Sequence, residues 1–124
     1  MRFRPALAAI AAVALAAPAF AQSSPYGTWT RPSTGTQVDF FDCGGKLCAK
    51  VKGVKDATKQ DAVGKSILTG AAKSGDNVWK GDLLNLEDGK TYAGNLTVLN
   101  DKELKLEGCT LAVLCKGETW KKVN

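Results

Sequence analysis

The residues with the most evident chemistry in this sequence are four cysteines, Cys43, Cys48, Cys109 and Cys115. Cysteines bind zinc, exchange electrons or pair as disulfides. Their C-x4-C and C-x5-C spacings differ from the C-x2-C spacing typical of structural zinc sites, the chain contains no histidine, and no activating motif flanks the thiols. The pattern therefore favours structural disulfides over a metal site or a redox centre.

Four cysteines allow three ways of pairing. Local pairing is favoured because each neighbouring pair brackets a predicted hairpin turn, Gly44–Leu47 in the first case and Thr110–Leu114 in the second. Thiols pair in an oxidising compartment, so these bonds also indicate an exported protein. The predicted disulfides are Cys43–Cys48 and Cys109–Cys115.

Catalytic chemistry has little support in this chain. The absence of histidine removes serine–histidine and cysteine–histidine nucleophile systems and the usual general base at neutral pH. Carboxylate pairs such as Asp82 with Glu87 fall on turns and wet strand faces, where solvation is expected rather than glycosidase chemistry. Gly64-Lys65-Ser66 lacks the upstream glycine of a phosphate-binding loop. We expect no catalytic residue, no metal and no cofactor, and hence no enzyme.

The elements that would carry these residues are predicted to be β-strands. Apolar and polar residues alternate with a period of two, glycines and other turn residues separate the short runs, and no long stretch shows helical periodicity. In one run, Tyr92, Leu96 and Val98 share a face opposite Asn95 and Thr97. The predicted strands are 26–31, 36–42, 47–54, a weak 66–71, 77–83, 90–99, 103–108 and 115–123.

The connections between these strands predict how they are arranged. Most are short and hairpin-like, for example Lys73–Asp76, Glu87–Gly89 and Asn100–Lys102. A meander of about eight strands can close into an up-and-down barrel, which removes its exposed edges. The one long connection, Lys55–Lys65, is either a flap over an open end or a loop without order.

The first 21 residues have the pattern of a secretory signal peptide. Arg2 and Arg4 precede the apolar run Ala6–Ala17, and the small-residue pattern Ala19-Phe20-Ala21 predicts cleavage before Gln22. The run is too short for a transmembrane helix. We expect a cleaved segment, 1–21, and a single barrel domain, 22–124, in the periplasm or outside the cell.

Charge adds little to this picture. Removing the two arginines lowers the formal net charge from +5 to about +3. The lysines are spread along the chain, which favours a solvated surface over a nucleic-acid-binding stripe. We expect no nucleic-acid partner and no stable membrane insertion, whereas the oligomeric state is not encoded in these patterns.

Several motifs together resemble a family of exported bacterial proteins, the domain of unknown function 2147. This resemblance extends over nearly the whole mature chain and implies a calycin-like, lipocalin-type β-barrel; it implies no reaction, substrate or catalytic residue. The matching motifs are Gly27-Thr28-Trp29, Cys43-Gly44-Gly45-Lys46-Leu47-Cys48, Asp88-Gly89-Lys90-Thr91-Tyr92-Ala93-Gly94, Leu104-Lys105-Leu106-Glu107-Gly108-Cys109, Leu114-Cys115 and Thr119-Trp120.

Gly27-Thr28-Trp29 also resembles the Gly-x-Trp signature at the start of lipocalin barrels. That resemblance implies that the Trp29 indole plugs the closed end of the barrel beneath a basic residue of the last strand. Lys121 and Lys122 are the candidates for such a cation–π contact. We predict structural plug roles for Trp29 and Trp120.

Trp79 and Tyr92 are the predicted ligand-binding residues. Both lie on strands expected to line the barrel, and amphipathic rings at a cavity mouth commonly contact ligands; core packing is the alternative role for both. The leading hypothesis is an exported cell-envelope protein that binds a small apolar or amphipathic molecule in its barrel. The alternative is a protein-interaction or envelope stress module with a filled barrel. The volume of the cavity separates the two hypotheses.

Overall fold

The computed structural model describes residues 23–111 and 113–123, and the predicted signal peptide lies outside these residues. The described part forms eight β-strands and one short 3₁₀ segment, Ala57–Ala62. The strands are β1 (Gly27–Thr30), β2 (Gln37–Asp42), β3 (Leu47–Gly53), β4 (Ser66–Gly75), β5 (Val78–Asn85), β6 (Lys90–Asn100), β7 (Glu103–Thr110) and β8 (Leu114–Lys122).

The strands form a closed antiparallel barrel in which each strand pairs with the next and β8 pairs with β1. The predicted all-β, up-and-down barrel is therefore confirmed. Its seam is short: β1 and β8 form the pairs Trp29–Lys122 and Thr30–Lys121, and just beyond β8 the Val123 amide donates to the Thr28 carbonyl at 2.8 Å. The pairing of β7 with β8, in contrast, runs along the whole of β7.

Successive turns lie at alternate ends of an up-and-down barrel. The β1–β2, β3–β4, β5–β6 and β7–β8 connections share one end, here called the mouth. The β2–β3, β4–β5 and β6–β7 turns share the other with the start of β1, and this end is here called the closed end.

Alternation along the strands turns apolar side chains towards the inside of the barrel. On β6, Leu96 and Val98 are buried and Tyr92 on the same face is partly buried, whereas Asn95 and Thr97 lie on the opposite face, as predicted. The core contains Trp29, Val38, Phe40, Leu47, Ala49, Val51, Ile67, Leu68, Ala71, Trp79, Leu96, Val98, Leu104, Leu106 and Trp120.

Three glycines in neighbouring strands allow the barrel wall to bend. Gly81 pairs with Gly94, and Gly94 pairs with Gly108. A Cβ atom on Gly81 would lie 2.7 Å from the Cα of Ala71, and one on Gly94 would lie 2.7 Å from the carbonyl oxygen of Gly81. The close approach of backbone to backbone requires glycine at these positions, and such bends are what closes a small barrel.

The β4–β5 hairpin differs from its prediction. The predicted strand ended at Ala71 with a turn at Lys73–Asp76, but β4 continues to Gly75 and the turn is Asp76–Asn77. The longer pairing places Lys73 opposite Trp79, with its ammonium 5.4 Å from the ring centroid. This cross-strand contact offsets the weak strand preference of the lysine, serine and glycine that end β4.

The long β3–β4 connection is strandless, as predicted, and it lies at the mouth. It begins with an Asp56 carboxylate that accepts from the Thr58 amide at 2.9 Å, and it continues as 3₁₀ turns. Two hydrogen bonds join the end of the connection to Val51 on β3. The Gly64 amide donates to the Val51 carbonyl at 2.8 Å, and the Val51 amide donates to the Lys65 carbonyl at 2.9 Å. In the described part of the chain, no helical segment is long and apolar enough to cross a membrane.

Candidate ligand-binding cavity

The interior of the barrel is not filled. A cavity of about 1270 Å³ opens at the mouth, which is above the roughly 300 to 1,000 Å³ of ordinary small-molecule pockets. Its inner wall is apolar and comes from six strands: Val38, Val51, Ile67, Leu83, Leu106 and Trp120. Its rim is polar and charged, with Arg31, Ser33, Asp56, Lys59, Asp61, Lys65, Glu87, Asp88, Lys116 and Glu118.

Trp120 on β8 lines this cavity, and its indole ring is almost fully buried. It packs edge to face against Phe40, with ring centroids 5.9 Å apart and an interplanar angle of 82°. The sequence predicted a plug role for this residue, and its position in the structure differs from that of Trp29. Because Trp29 pairs with Lys122, Trp120 lies two residues nearer the mouth, in the wall rather than in the plug.

Tyr92 on β6 also lines the cavity, as predicted for a ligand contact. Its hydroxyl donates to the Asp88 carboxylate on the adjoining β5–β6 turn. This hydrogen bond lowers the pKa of Asp88, with help from the Lys90 amide, and raises the pKa of the Tyr92 phenol. The ring is thus held against the wall with its polar end at the rim.

Trp79, the other predicted ligand contact, is not among the residues that line the cavity. Alternation assigned the correct face, since Trp79 is buried among the core residues. It is the second residue of β5, however, and therefore lies towards the closed end. Tyr92 pairs with Leu83, near the other end of the same strand.

Trp29 has the geometry expected of a plug. Its side chain is 0% exposed, and it is absent from the cavity lining. The indole Nε1 donates to the Pro25 carbonyl at 2.9 Å, and the Lys122 ammonium lies 5.6 Å from the ring centroid. Of the two lysines that the sequence offered for a cation–π contact, Lys122 makes it.

A charged cluster links three elements of the rim. The Arg31 Nε donates to Glu118 at 2.7 Å, and its Nη1 reaches Glu87 at 3.4 Å. Glu118 also accepts from the Ser33 amide at 3.2 Å and the Ser33 hydroxyl at 2.9 Å. Partial burial raises the pKa of the Glu118 carboxyl, but the bonds from Arg31 and Ser33 outweigh it and hold that pKa below its ordinary value.

Both predicted disulfides are present, at opposite ends of the barrel. Cys43–Cys48 spans the β2–β3 turn at the closed end, and Cys109–Cys115 spans the β7–β8 turn at the mouth. Cys115 belongs to the cavity lining. The second disulfide therefore also fixes part of the rim. Within residues 23–111 and 113–123, no cluster of three or more cysteine, aspartate or glutamate side chains could hold a metal ion.

Comparison with known proteins agrees with this architecture. A family model described as an uncharacterized protein conserved in bacteria (DUF2147) matches residues 27–122, from the start of β1 to the end of β8. The chain belongs to the DUF2147 family. The family assigned from the sequence motifs is thereby confirmed, and it brings no reaction with it.

Among solved structures, this DUF2147 barrel is similar to the protein HP1028 from Helicobacter pylori, described as belonging to the lipocalin family. The two have a TM-score of 0.66 and 22% sequence identity, with 82% of this chain and 84% of HP1028 covered. At that identity the likeness shows a shared lipocalin-like fold. No curated protein matches the DUF2147 chain.

Proposed function

We propose that this protein binds a small amphipathic molecule, with the apolar part inside the barrel and the polar part at the rim. The observation that carries the proposal is the cavity of about 1270 Å³, which has an apolar inner wall and a charged rim. Ligand sites combine a mostly apolar lining with a few placed polar groups. The lipocalin-like fold supports the same class of function.

The alternative of an interaction module with a filled barrel fits less well, because it requires side chains to occupy the interior. The proposal includes no catalytic step. It draws support from the absence of histidine in the whole chain, since a general base for neutral pH is then missing from the usual source.

We further propose that the protein acts after export, in the periplasm or outside the cell. Support comes from the signal-like residues 1–21 and from the two disulfides, which form in oxidising compartments. Mass spectrometry of the protein recovered from its own host tests this. A processed N-terminus at Gln22 is expected, and a protein retained in the cell with Met1 would overturn it.

Titration with a long-chain fatty acid and with a long-chain trimethylammonium amphiphile tests the binding site. Binding of either amphiphile should change the fluorescence of Trp120, because Trp120 lines the cavity. Val54→Trp places a large ring in the lining and should weaken binding tenfold or more, about 1.4 kcal/mol. The matched control is Leu99→Trp, at an exposed position near the closed end, which should leave affinity unchanged.

Two results would contradict the proposal. One is the absence of binding by either amphiphile below a dissociation constant of roughly 100 μM. The other is equal binding by the Val54→Trp protein and the wild type, since a ligand unaffected by a filled cavity binds elsewhere.

A further inference from the structure

The tip of the β7–β8 hairpin exposes apolar side chains at the mouth. Leu111, Val113 and Leu114 are 85%, 79% and 63% exposed, the highest values for large hydrophobic residues in the described part of the chain. Three such residues within one turn form a patch, unlike the isolated apolar residues common on protein surfaces. A patch of this kind indicates a contact with another apolar surface.

Two features of the hairpin restrict the conformation of this tip. Leu111 has a φ of 53°, a left-handed conformation that a leucine rarely adopts and that carries strain. The disulfide Cys109–Cys115 joins the two strands directly below the turn. A covalently braced tip loses little conformational entropy when it contacts a second surface, so binding through it is less costly than binding through a free loop.

The tip is continuous with the cavity. Val113 and Leu114 belong to the cavity lining together with Leu106 and Trp120. Apolar surface therefore extends from the outermost point of the hairpin to the inner wall of the barrel. A molecule with a long apolar tail could pass along this surface without exposing the tail to water.

The hairpin segment that carries the tip has one positive charge of its own. The hairpin between Gly108 and Gly117 contains Lys116 and no carboxylate. The two acidic residues that flank this segment are both paired, Glu107 with Lys105 and Glu118 with Arg31. An apolar loop with an adjacent lysine matches the requirements of an anionic bilayer surface, in which apolar side chains enter the headgroup region and the cation meets lipid phosphates.

We propose that the tip side chains Leu111, Val113 and Leu114 dock on an anionic lipid bilayer, and that the cavity takes its amphipathic ligand from that bilayer. The inference rests on the proposed function, because it names the source of the ligand. It requires contact with the bilayer surface only, through one hairpin.

Co-sedimentation with vesicles tests the docking step, with processed protein purified from the periplasm of an expressing bacterium. Vesicles of phosphatidylethanolamine and phosphatidylglycerol should bind it, and vesicles of phosphatidylcholine alone should bind it less. The double variant Leu111→Ser, Val113→Ser should partition at least tenfold less. Leu99→Ser removes a leucine that is 51% exposed near the closed end, and this matched control should partition like the wild type.

A second pair of variants tests the charge. Lys116→Gln should reduce the preference for phosphatidylglycerol, whereas Lys50→Gln, at an exposed position on β3, should not. Amphiphile affinity measured without vesicles should be the same for the wild type and for the single variant Leu111→Ser, because Leu111 does not line the cavity. This readout separates the two proposals, because a wild type that binds amphiphile but no vesicle keeps the function and overturns the docking.

Three results would overturn the docking proposal. The wild type could fail to bind phosphatidylglycerol vesicles, or the tip variant could bind them as well as the wild type does. Sedimentation velocity without lipid could instead show a dimer that the tip substitutions dissociate, which would make the tip an interface between copies of this chain.

Discussion

Replacing Trp29 tests whether the closed end holds the barrel together. The indole is fully buried, donates one hydrogen bond to Pro25 and lies beside the Lys122 ammonium. Emptying a buried site of this size costs about 3 to 5 kcal/mol. The lost hydrogen bond and cation–π contact add about 1 kcal/mol each. Since a domain has only about 5 to 15 kcal/mol of stability, Trp29→Ala should unfold the protein or bring it close to unfolding.

Trp29→Phe gives the measurable version of this experiment. It keeps an aromatic ring but removes the indole N–H and part of the side-chain volume, so a loss of about 1 to 2 kcal/mol is expected. In a domain of this size, each kcal/mol of lost stability lowers the melting temperature by about 4 to 8 °C. The melting temperature of Trp29→Phe should therefore fall by roughly 5 to 15 °C. Circular dichroism measures this change, with urea unfolding as a second determination of stability.

Amphiphile titration of the same Trp29→Phe protein separates a plug from a ligand contact. Trp29 does not line the cavity, so affinity should match that of the wild type once the protein is folded. An unchanged melting temperature for Trp29→Ala would show that the indole is not buried in solution, and the reasoning would fail. Weakened binding without lost stability would instead place Trp29 at the ligand.

Three other substitutions have defined outcomes. Replacing Cys109 and Cys115 by serine should lower stability by about 2 kcal/mol, measured by urea unfolding, and non-reducing peptide mapping of the wild type should recover this pair. Gly94→Ala should strongly destabilise the barrel in thermal unfolding, because its Cβ would lie 2.7 Å from a backbone oxygen. The pKa of Glu118 lies below its ordinary 4.5, so its contact with Arg31 stabilises above that pH and is lost as the pH falls through the lower, folded-state pKa. The melting temperature of the wild type should therefore fall more steeply below pH 4.5 than that of Glu118→Gln.

The strand order and the disulfides could be predicted because their signals are local. Alternation of apolar and polar residues depends on neighbours two positions apart, as in Tyr92, Leu96 and Val98 on β6. Each cysteine pair is separated by only five or six positions along the chain. A short turn between two antiparallel strands brings such residues together whatever the rest of the chain does.

The depth of a residue in the barrel could not be predicted in the same way. Alternation assigns Trp79 and Tyr92 to the interior but does not say how far each lies from the mouth. That position depends on the register between strands and on where each turn begins. The turn at Asp76–Asn77 places Trp79 near the closed end. The register of β8 against β1 places Trp120 in the cavity wall.

The rim cluster left no signal in the sequence. Arg31 and Glu118 are 87 positions apart, and each alone is an ordinary charged residue on a polar segment. Only closure of the barrel brings β8 beside the β1–β2 turn, so their contact is a result of the fold rather than of any local pattern. The same holds for the cavity volume, which depends on how side chains from all eight strands fill the interior.

On the proposed function, stability and ligand binding are separated along the axis of this barrel. The closed end holds the buried Trp29 and Trp79, each with a lysine above its ring, whereas the 3₁₀ segment at the mouth has no buried residue. Segments with few buried contacts can change sequence at little cost in stability. Substitutions in the mouth connections should therefore change which ligand is held more than whether the barrel folds. On the proposed function, rim residues such as Arg31 and Glu118 are accordingly where related barrels with different ligands should differ.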